Sequence, residues 1–381
     1  MFNNVVVIGC GKMGEMWANS FYNKGCNIEA VVDPDPRDEN FYYTVDSDLV
    51  SSIEDGEGNI KEADIWVIAT PTSEHFRFTK EAIRNEIPMV LLEKPATSSP
   101  EETEKLAKMA SDSNTTVCVD YIELEHSAVR TAIDDMGSDF NLTQAVHWRS
   151  KRAPSVLPYI MDDMVHDFSE LMLLYRTTGR DFSNIEVENI NNIYSWSESD
   201  TDMTSDLENV YDAGASLHLE GDNKEILNLR GGFDDDKERR YFCWVDDYQD
   251  KAYFVNTLRR EEVSLDDVFS DPGEESKFDP DSDISTFSVK IHGEKNINRI
   301  VHNAIEGNLC NEEDFERVFD KVDAEFLVPI DEKVNYPDEE ISRKIINGEA
   351  SPATIQDAVE VEKMIEKVYT NTEDFNDIFK I

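Results

Sequence analysis

The chain has 381 residues, 39% of them hydrophobic, which is enough for two domains with real cores; its unusual feature is 82 acidic against 36 basic side chains, a net charge of −46. Regular apolar runs and well-spread aromatics exclude a disordered chain, and so acidic a surface excludes nucleic acid and anionic membrane as partners. The acidic residues are scattered through nearly every segment rather than gathered in one tail, so adaptation to a salty cytoplasm, where screening at ~1 M salt reaches only ~3 Å, is expected ahead of a basic partner surface.

No apolar run approaches the roughly 20 residues of a membrane span. The strand pattern starts straight after Met1-Phe2-Asn3-Asn4, so no signal peptide is expected. Cys10, Cys26, Cys118, Cys243 and Cys310 are odd in number, far apart and without a CxxC pair. Neither a disulfide framework nor a metal site is expected, and the location expected is a reducing cytoplasm.

Val5 to Ile8 is a continuous β-branched run, the pattern of a parallel strand buried on both faces. Gly9, Gly11 and Gly14 follow in GxGxxG spacing. The first glycine allows a tight turn, the second lets backbone approach a pyrophosphate, and the third lets helix and strand pack closely. Met13, Met16, Trp17, Ala18 and Phe21 recur at helical spacing, with Gly25 as the stop. The free N–H groups at the start of that helix would face the phosphates, which makes Lys12 and Met13 part of the candidate site. Ile28 to Val32 reads as the next strand and ends in Asp33, 19 residues past Gly14. A carboxylate there accepts from the ribose hydroxyls of NAD and repels a 2′-phosphate. Asp33 also suits a simple strand-end turn before Pro34-Asp35-Pro36, and Arg37 works against selectivity, so NAD is expected ahead of NADP.

Strand and helix go on alternating, with strands at Asp64–Ala69, Met89–Leu92 and Thr116–Val119 and helices at Ser73–Asn85 and Pro100–Ala110, the signature of a parallel sheet with right-handed crossovers. Ala69-Thr70-Pro71-Thr72 lies at the carboxyl edge, where such sheets bind ligands; it can line a cofactor crevice and cap the next helix at once. Lys94 sits at the same edge in Glu93-Lys94-Pro95, its conformation restricted by the proline. An ammonium held beside a nicotinamide can steady the alkoxide that develops as hydride leaves. Met161 to Met172 reads as an amphipathic helix with an apolar stripe of Met161, Met164, Val165, Phe168, Leu171 and Met172. Asp162 and His166, four apart, share a face, either as a general acid–base pair or as an ordinary surface pair.

Taken together, Gly9-x-Gly11-x-Met13-Gly14, Asp33, Ala69-Thr70-Pro71-Thr72 with His75, Glu93-Lys94-Pro95 and Asp162-x-x-x-His166 stand in the order of the Gfo/Idh/MocA family, that of glucose–fructose oxidoreductase and inositol dehydrogenase. The resemblance runs along most of the chain. Asp120-Tyr121-Ile122-Glu123 is similar to the crossing into the second domain, Trp148-Arg149-Ser150-Lys151-Arg152 to the basic strand before the His166 helix, and Ser351-Pro352-Ala353, with the helix from Thr354 to Tyr369, to the family's C-terminal segment. The branch acting on nucleotide sugars is the most similar. The resemblance implies that Lys94 contacts the reacting hydroxyl, His166 exchanges its proton and Asp162 supports the site. It also implies that Ala69, Thr70, Pro71, His75 and Glu93 line the cofactor and Tyr121 the substrate. Arg149 and Arg152 meet a substrate phosphate or carboxylate, or form salt bridges within this acidic protein. Leu124, Glu125 and His126 depart from the common Arg, Phe and Asn, and Ser169 from a common Asp, which leaves the identity of the sugar open.

From about Ser183 the pattern shifts to strands at Ile185–Ile193, Val210–Leu219, Ile226–Leu229, Arg240–Val245 and Lys251–Val255, followed by a helix at Lys295–Gly307. A large, mostly antiparallel sheet is expected. One face would cover the active site, and the resemblance implies that the other builds a homodimer or homotetramer. The acidic tracts 195–208 and 261–283 read as solvated loops. The expected fold class is thus α/β, with a Rossmann domain over 1–121 and an α+β domain for substrate binding and oligomerisation over 122–381. The expected activity is NAD-dependent hydride transfer to or from a ring carbon of a sugar, nucleotide sugar or cyclitol. An NAD-retaining non-redox sugar enzyme and a non-catalytic dinucleotide-binding scaffold are the alternatives.

Overall fold

The computed structural model describes residues 1–34, 48–50, 59–151, 160, 163–197, 210–233, 239–257, 287–306, 312–319, 322, 324–328 and 337–371. The chain divides into two compact units, one of residues 1–125, 168–170 and 336–369, the other of 126–167, 171–335 and 370–381.

The first unit is built on a seven-stranded sheet. Its strands are β1 (Asn4–Ile8), β2 (Asn27–Val32), β3 (Asp48–Val50), β4 (Ile65–Ile68), β5 (Met89–Leu92), β6 (Thr116–Val119) and β15 (Ala353–Thr354). The order is β15-β6-β5-β4-β1-β2-β3, parallel throughout except for β15 against β6. The order reverses at β1, between β4 and β2, so the carboxyl ends of those three strands form the crevice where such sheets take ligands. Helices α1 (Lys12–Asn23), α2 (Thr72–Arg84) and α3 (Pro100–Ser111) are the crossovers. Local chemistry sets their ends. Gly25, at φ +87°, turns the chain after α1, and α3 starts with Pro100 behind Ser99, whose side chain accepts from the Glu102 N–H.

Val5, Val7, Ile65, Val67, Met89 and Leu91 point into the core beside Trp17 and Phe21 of α1. The C-terminal segment returns to this unit as α8 (Pro337–Ile346) and α9 (Ile355–Thr370). Ile341 and Ile345 join the same core, the Ser20 and Ser342 hydroxyls meet at 3.0 Å, and Lys24 pairs with Glu339 at 2.9 Å. Glu125 accepts from Lys344 Nζ at 2.5 Å and Ser351 Oγ at 2.8 Å, which anchors the short helical turn Ile122–Glu125 to this returning segment.

The second unit is built on an eight-stranded sheet of β7 (Gln144–Lys151), β8 (Glu186–Ser197), β9 (Val210–Glu220), β10 (Ile226–Phe233), β11 (Arg239–Asp246), β12 (Lys251–Asn256), β13 (Phe287–His292) and β14 (Ala324–Val328). The order is β14-β13-β12-β11-β7-β10-β9-β8, antiparallel except where β10 runs parallel to β7. Val146, Trp148, Tyr241, Cys243, Phe254 and Val289 face one side, where α6 (Glu294–Ile305) and α7 (Glu312–Phe319) cover them through Ile297, Ile300, Ala304 and Phe315. On the other side α4 (Ser127–Met136) packs along β12 to β14, and Asp135 accepts from the Tyr253 hydroxyl at 2.6 Å.

The strands run further than the apolar pattern indicated. β8 continues to Ser197 through its pairing with β9, and β10 continues through Gly231 and Gly232 to Phe233 through its pairing with β9 and β7. Apart from Ser195–Ser197, the two acidic tracts lie outside the described residues.

Candidate functional site

Gly9 N donates to Val32 O at 2.9 Å and Ala69 N to Ile8 O at 2.8 Å, so the glycine turn is drawn against the ends of β2 and β4. Gly9 has φ +100°, and a Cβ on it would lie 2.4 Å from Ala69 O; one on Gly14 would lie 2.0 Å from Gly9 O. These two glycines serve close packing of strand, turn and helix. Gly11 is different. It is the N-cap of α1, it makes no side-chain cap, and a Cβ built there meets nothing within 4 Å. The first N–H groups of α1, beginning at Lys12, Met13 and Gly14, therefore open on a free space at the positive end of the helix dipole, a cradle that fits a diphosphate. Asp33 Oδ2 accepts from Cys10 N at 2.7 Å, placing its carboxylate beside the turn where a ribose would lie. Thr70 Oγ1, shielded from solvent, has no hydrogen-bond partner among the described residues and offers a polar contact in the same loop. The residues present fit a dinucleotide.

His75 sits one turn into α2 and is buried, with Nδ1 2.9 Å from Pro95 O and Nε2 2.8 Å from Thr70 O. Burial lowers its pKa while the carbonyls push the other way. The imidazole ties the loop after β4 to the loop after β5, and so fixes the backbone that carries Lys94. Lys94 is half-buried, directly beyond β5, with Glu93 behind it. Glu93 Oε1 accepts from Trp17 Nε1 at 2.8 Å, and Asp120 stands at the matching position beyond β6. Burial raises the pKa of both carboxyls, Asp120 further because Glu93 faces it. Tyr121 is fully enclosed in the first unit, its phenol pKa pushed up by burial and then by the Glu362 and Asp357 carboxylates of α9.

Helix α5 (Met164–Thr177), which carries residues 168–170 of the first unit and otherwise belongs to the second, starts at the described part of the expected helix and runs past Met172. The expected one-sided stripe is not what forms. Every residue from Asp163 to Met172 is buried, the polar His166, Asp167, Ser169 and Glu170 included. His166 lies in the first turn, with its N–H donating to Asp163 O at 3.0 Å. Asp162, its expected helper, and Arg152 lie outside the described residues.

Arg149 is buried at 2% exposure, with Nε 3.6 Å from Asp167 Oδ2 and the guanidinium carbon 5.8 Å from the centre of the Phe242 ring. Of the two roles open to it in the sequence, the salt bridge is present. Asp167 Oδ1 also lies 3.5 Å from His147 Nδ1, and Trp244 Nε1 donates to His147 Nε2 at 2.9 Å. That donation leaves the His147 proton on Nδ1, facing the carboxylate, a tautomer that does not ligate a metal through Nδ1. Burial lowers the His147 pKa, keeping the ring neutral, with Asp167 opposing and Arg149 assisting.

The sequence assigns no site role to His147, Asp167 or Trp244, and marks Asp120 only as part of the crossing into the second domain. The first could have been found by alternation: in β7, Val146 and Trp148 belong to one face, so His147 and Arg149 must share the other, opposite Phe242 in the register.

Residues 3–121 match a family model described as an oxidoreductase family with an NAD-binding Rossmann fold, GFO_IDH_MocA. No curated protein matches the chain by sequence. Among solved structures, UDP-N-acetylglucosamine 3-dehydrogenase GnnA from Acidithiobacillus ferrooxidans is similar with TM-score 0.67 and 18% identity over 98% of both chains. A mutant of KijD10, a 3-ketoreductase from Actinomadura kijaniata in complex with TDP-benzene and NADP, is similar with TM-score 0.65 and 14% identity over 97% of this chain and 98% of that one. At such identities the likeness establishes the fold. With the glycine turn, Asp33 and the 3-2-1-4-5-6 core of the sheet in place, residues 3–121 have the Rossmann fold that this family model describes.

Proposed function

We propose that this chain is a nicotinamide-dependent oxidoreductase that interconverts a ring hydroxyl and a ring ketone of a nucleotide sugar, with NAD preferred to NADP. The observation that carries the reading is the open Gly11 cradle beside Asp33, on the same sheet edge as Lys94. A bound nicotinamide would supply the hydride chemistry at the carbinol carbon. Gly11 and the α1 N-terminus hold the diphosphate, Asp33 the ribose hydroxyls, and the Ala69-Thr70-Pro71 loop the crevice wall. Lys94 hydrogen-bonds the reacting oxygen and stabilises its developing negative charge, and the imidazole of His166 takes the hydroxyl proton in oxidation and gives it back in reduction. Arg149 is held by Asp167, and any contact it makes with a substrate anion draws on the same guanidinium. One structural relative is by name a UDP-N-acetylglucosamine 3-dehydrogenase and another a 3-ketoreductase in complex with TDP-benzene, so UDP- and TDP-sugars oxidised or reduced at the 3-position head the substrate panel. Assembly as a homodimer or homotetramer through the second sheet is part of the reading, and light scattering tests it.

Turnover of that panel, followed through the absorbance of the reduced nicotinamide, is the direct test. Lys94→Ala and His166→Ala should each lower kcat by about 10²–10⁴-fold while cofactor Kd stays near the wild-type value. Undiminished turnover in both variants refutes the assignment of roles.

A further inference from the structure

Glu93 and Asp120 follow the last paired residues of β5 and β6, Leu92 and Val119, so the parallel register sets them side by side at the carboxyl edge. Their backbones are fixed there, Glu93 N donating to Ile68 O at 2.9 Å and Asp120 N to Leu92 O at 2.8 Å. Both side chains are buried, at 6% and 2% exposure, and the Glu93 carboxyl lies near enough to Asp120 to raise its pKa further than burial alone. Two carboxyls buried side by side at neighbouring strand ends, away from water, favour holding a proton, because two full negative charges so placed repel strongly. Among the described residues, the groups facing the pair are few. Trp17 Nε1 of α1 donates to Glu93, the Lys94 charge acts on both carboxyls, and Asp338 of α8 adds negative potential at Asp120. The last of these favours keeping the proton.

We propose that Asp120 is a positioning residue for Lys94: it shares one proton with Glu93, so that the pair presents a single, fixed negative charge that holds the Lys94 ammonium at the sheet edge. This deepens the oxidoreductase reading, in which Lys94 steadies the reacting oxygen. A dianionic pair would bind the ammonium too tightly to share it with substrate, and a neutral pair would let it drift.

Two measurements on the full chain without added nucleotide test this. An infrared difference spectrum at neutral pH between the wild type and Asp120→Asn should show one protonated-carboxyl band that the variant lacks; Glu362, whose carboxyl burial raises to about 8, is common to both and cancels. Identical carboxyl bands overturn the shared proton. Amine labelling followed by mass spectrometry should then show Lys94 reacting at least about threefold faster in Asp120→Ala than in the wild type, with surface lysines such as Lys105 unchanged and Asp120→Asn restoring the slow rate. Equal Lys94 rates in all three proteins, or an acceleration spread over all lysines, overturn the positioning role. Neither readout needs turnover, so a chain inactive on every sugar would refute the proposed function while leaving this inference to stand or fall separately.

Discussion

Gly11→Ala and Gly14→Ala should fail in opposite ways. At Gly14 the new methyl would lie 2.0 Å from Gly9 O, a backbone atom that cannot rotate aside, so strand, turn and helix must shift. Overpacking of this kind costs about 1–3 kcal/mol or more, and the unfolding midpoint should fall accordingly. At Gly11 the methyl meets nothing. The only folding cost is the exchange of a tolerated N-cap residue for a poor one, roughly 0.5–1 kcal/mol. The same methyl does enter the space over the α1 N-terminus. If it displaces a phosphate from one charge-assisted bond worth about 1.5–3 kcal/mol, cofactor Kd rises roughly 10- to 150-fold. Urea unfolding and fluorescence titration with NADH and NADPH measure the two quantities on the same preparations. The reasoning is refuted if Gly11→Ala binds the reduced nucleotides as tightly as the wild type, or if Gly14→Ala unfolds at an unchanged midpoint.

Removing one partner of the buried Arg149–Asp167 pair should be costly: Asp167→Asn is expected to destabilise by about 3 kcal/mol, with Arg149→Met in the same background recovering part of it; a neutral Asp167→Asn in urea unfolding contradicts this. Burial lifts the Glu362 carboxyl from 4.5 to about 8. Between those values the folded chain holds a proton that the unfolded chain has released, so stability falls as pH rises through that window, by at most about 1.4 kcal/mol per unit. Glu362→Gln, keeping its place against Thr103 and Thr97, should flatten that slope, and unfolding curves of parallel slope in both proteins argue otherwise. With a net charge of −46, the chain should lose stability on dilution from molar KCl to about 0.1 M, where the Debye length grows to ~10 Å; an unmoved midpoint counts against adaptation to salt.

The first unit was legible because its signals are local. A β-branched run, three glycines and an acid at fixed spacing each constrain a few neighbouring residues, and Gly9, Gly14 and Asp33 sit where that spacing required. What stayed hidden depends on registers between distant strands. Asp120 acquires meaning only when β6 is laid beside β5, and His147 only when β11 brings Trp244 to its Nε2 across 97 residues. The His166 helix misled for a related reason: its polar residues imitate a solvated face, yet Asp167 is spent on Arg149, and the whole turn is enclosed. A buried carboxylate is tolerated only against a cation, a set of hydrogen-bond donors or a retained proton. In this acidic chain, the informative acids are therefore the few that water does not reach. Asp167 meets Arg149, Glu362 keeps its proton, and Glu93 with Asp120 stands behind Lys94, so the same electrostatic rule that governs stability elsewhere bears here on the residue proposed to do the chemistry.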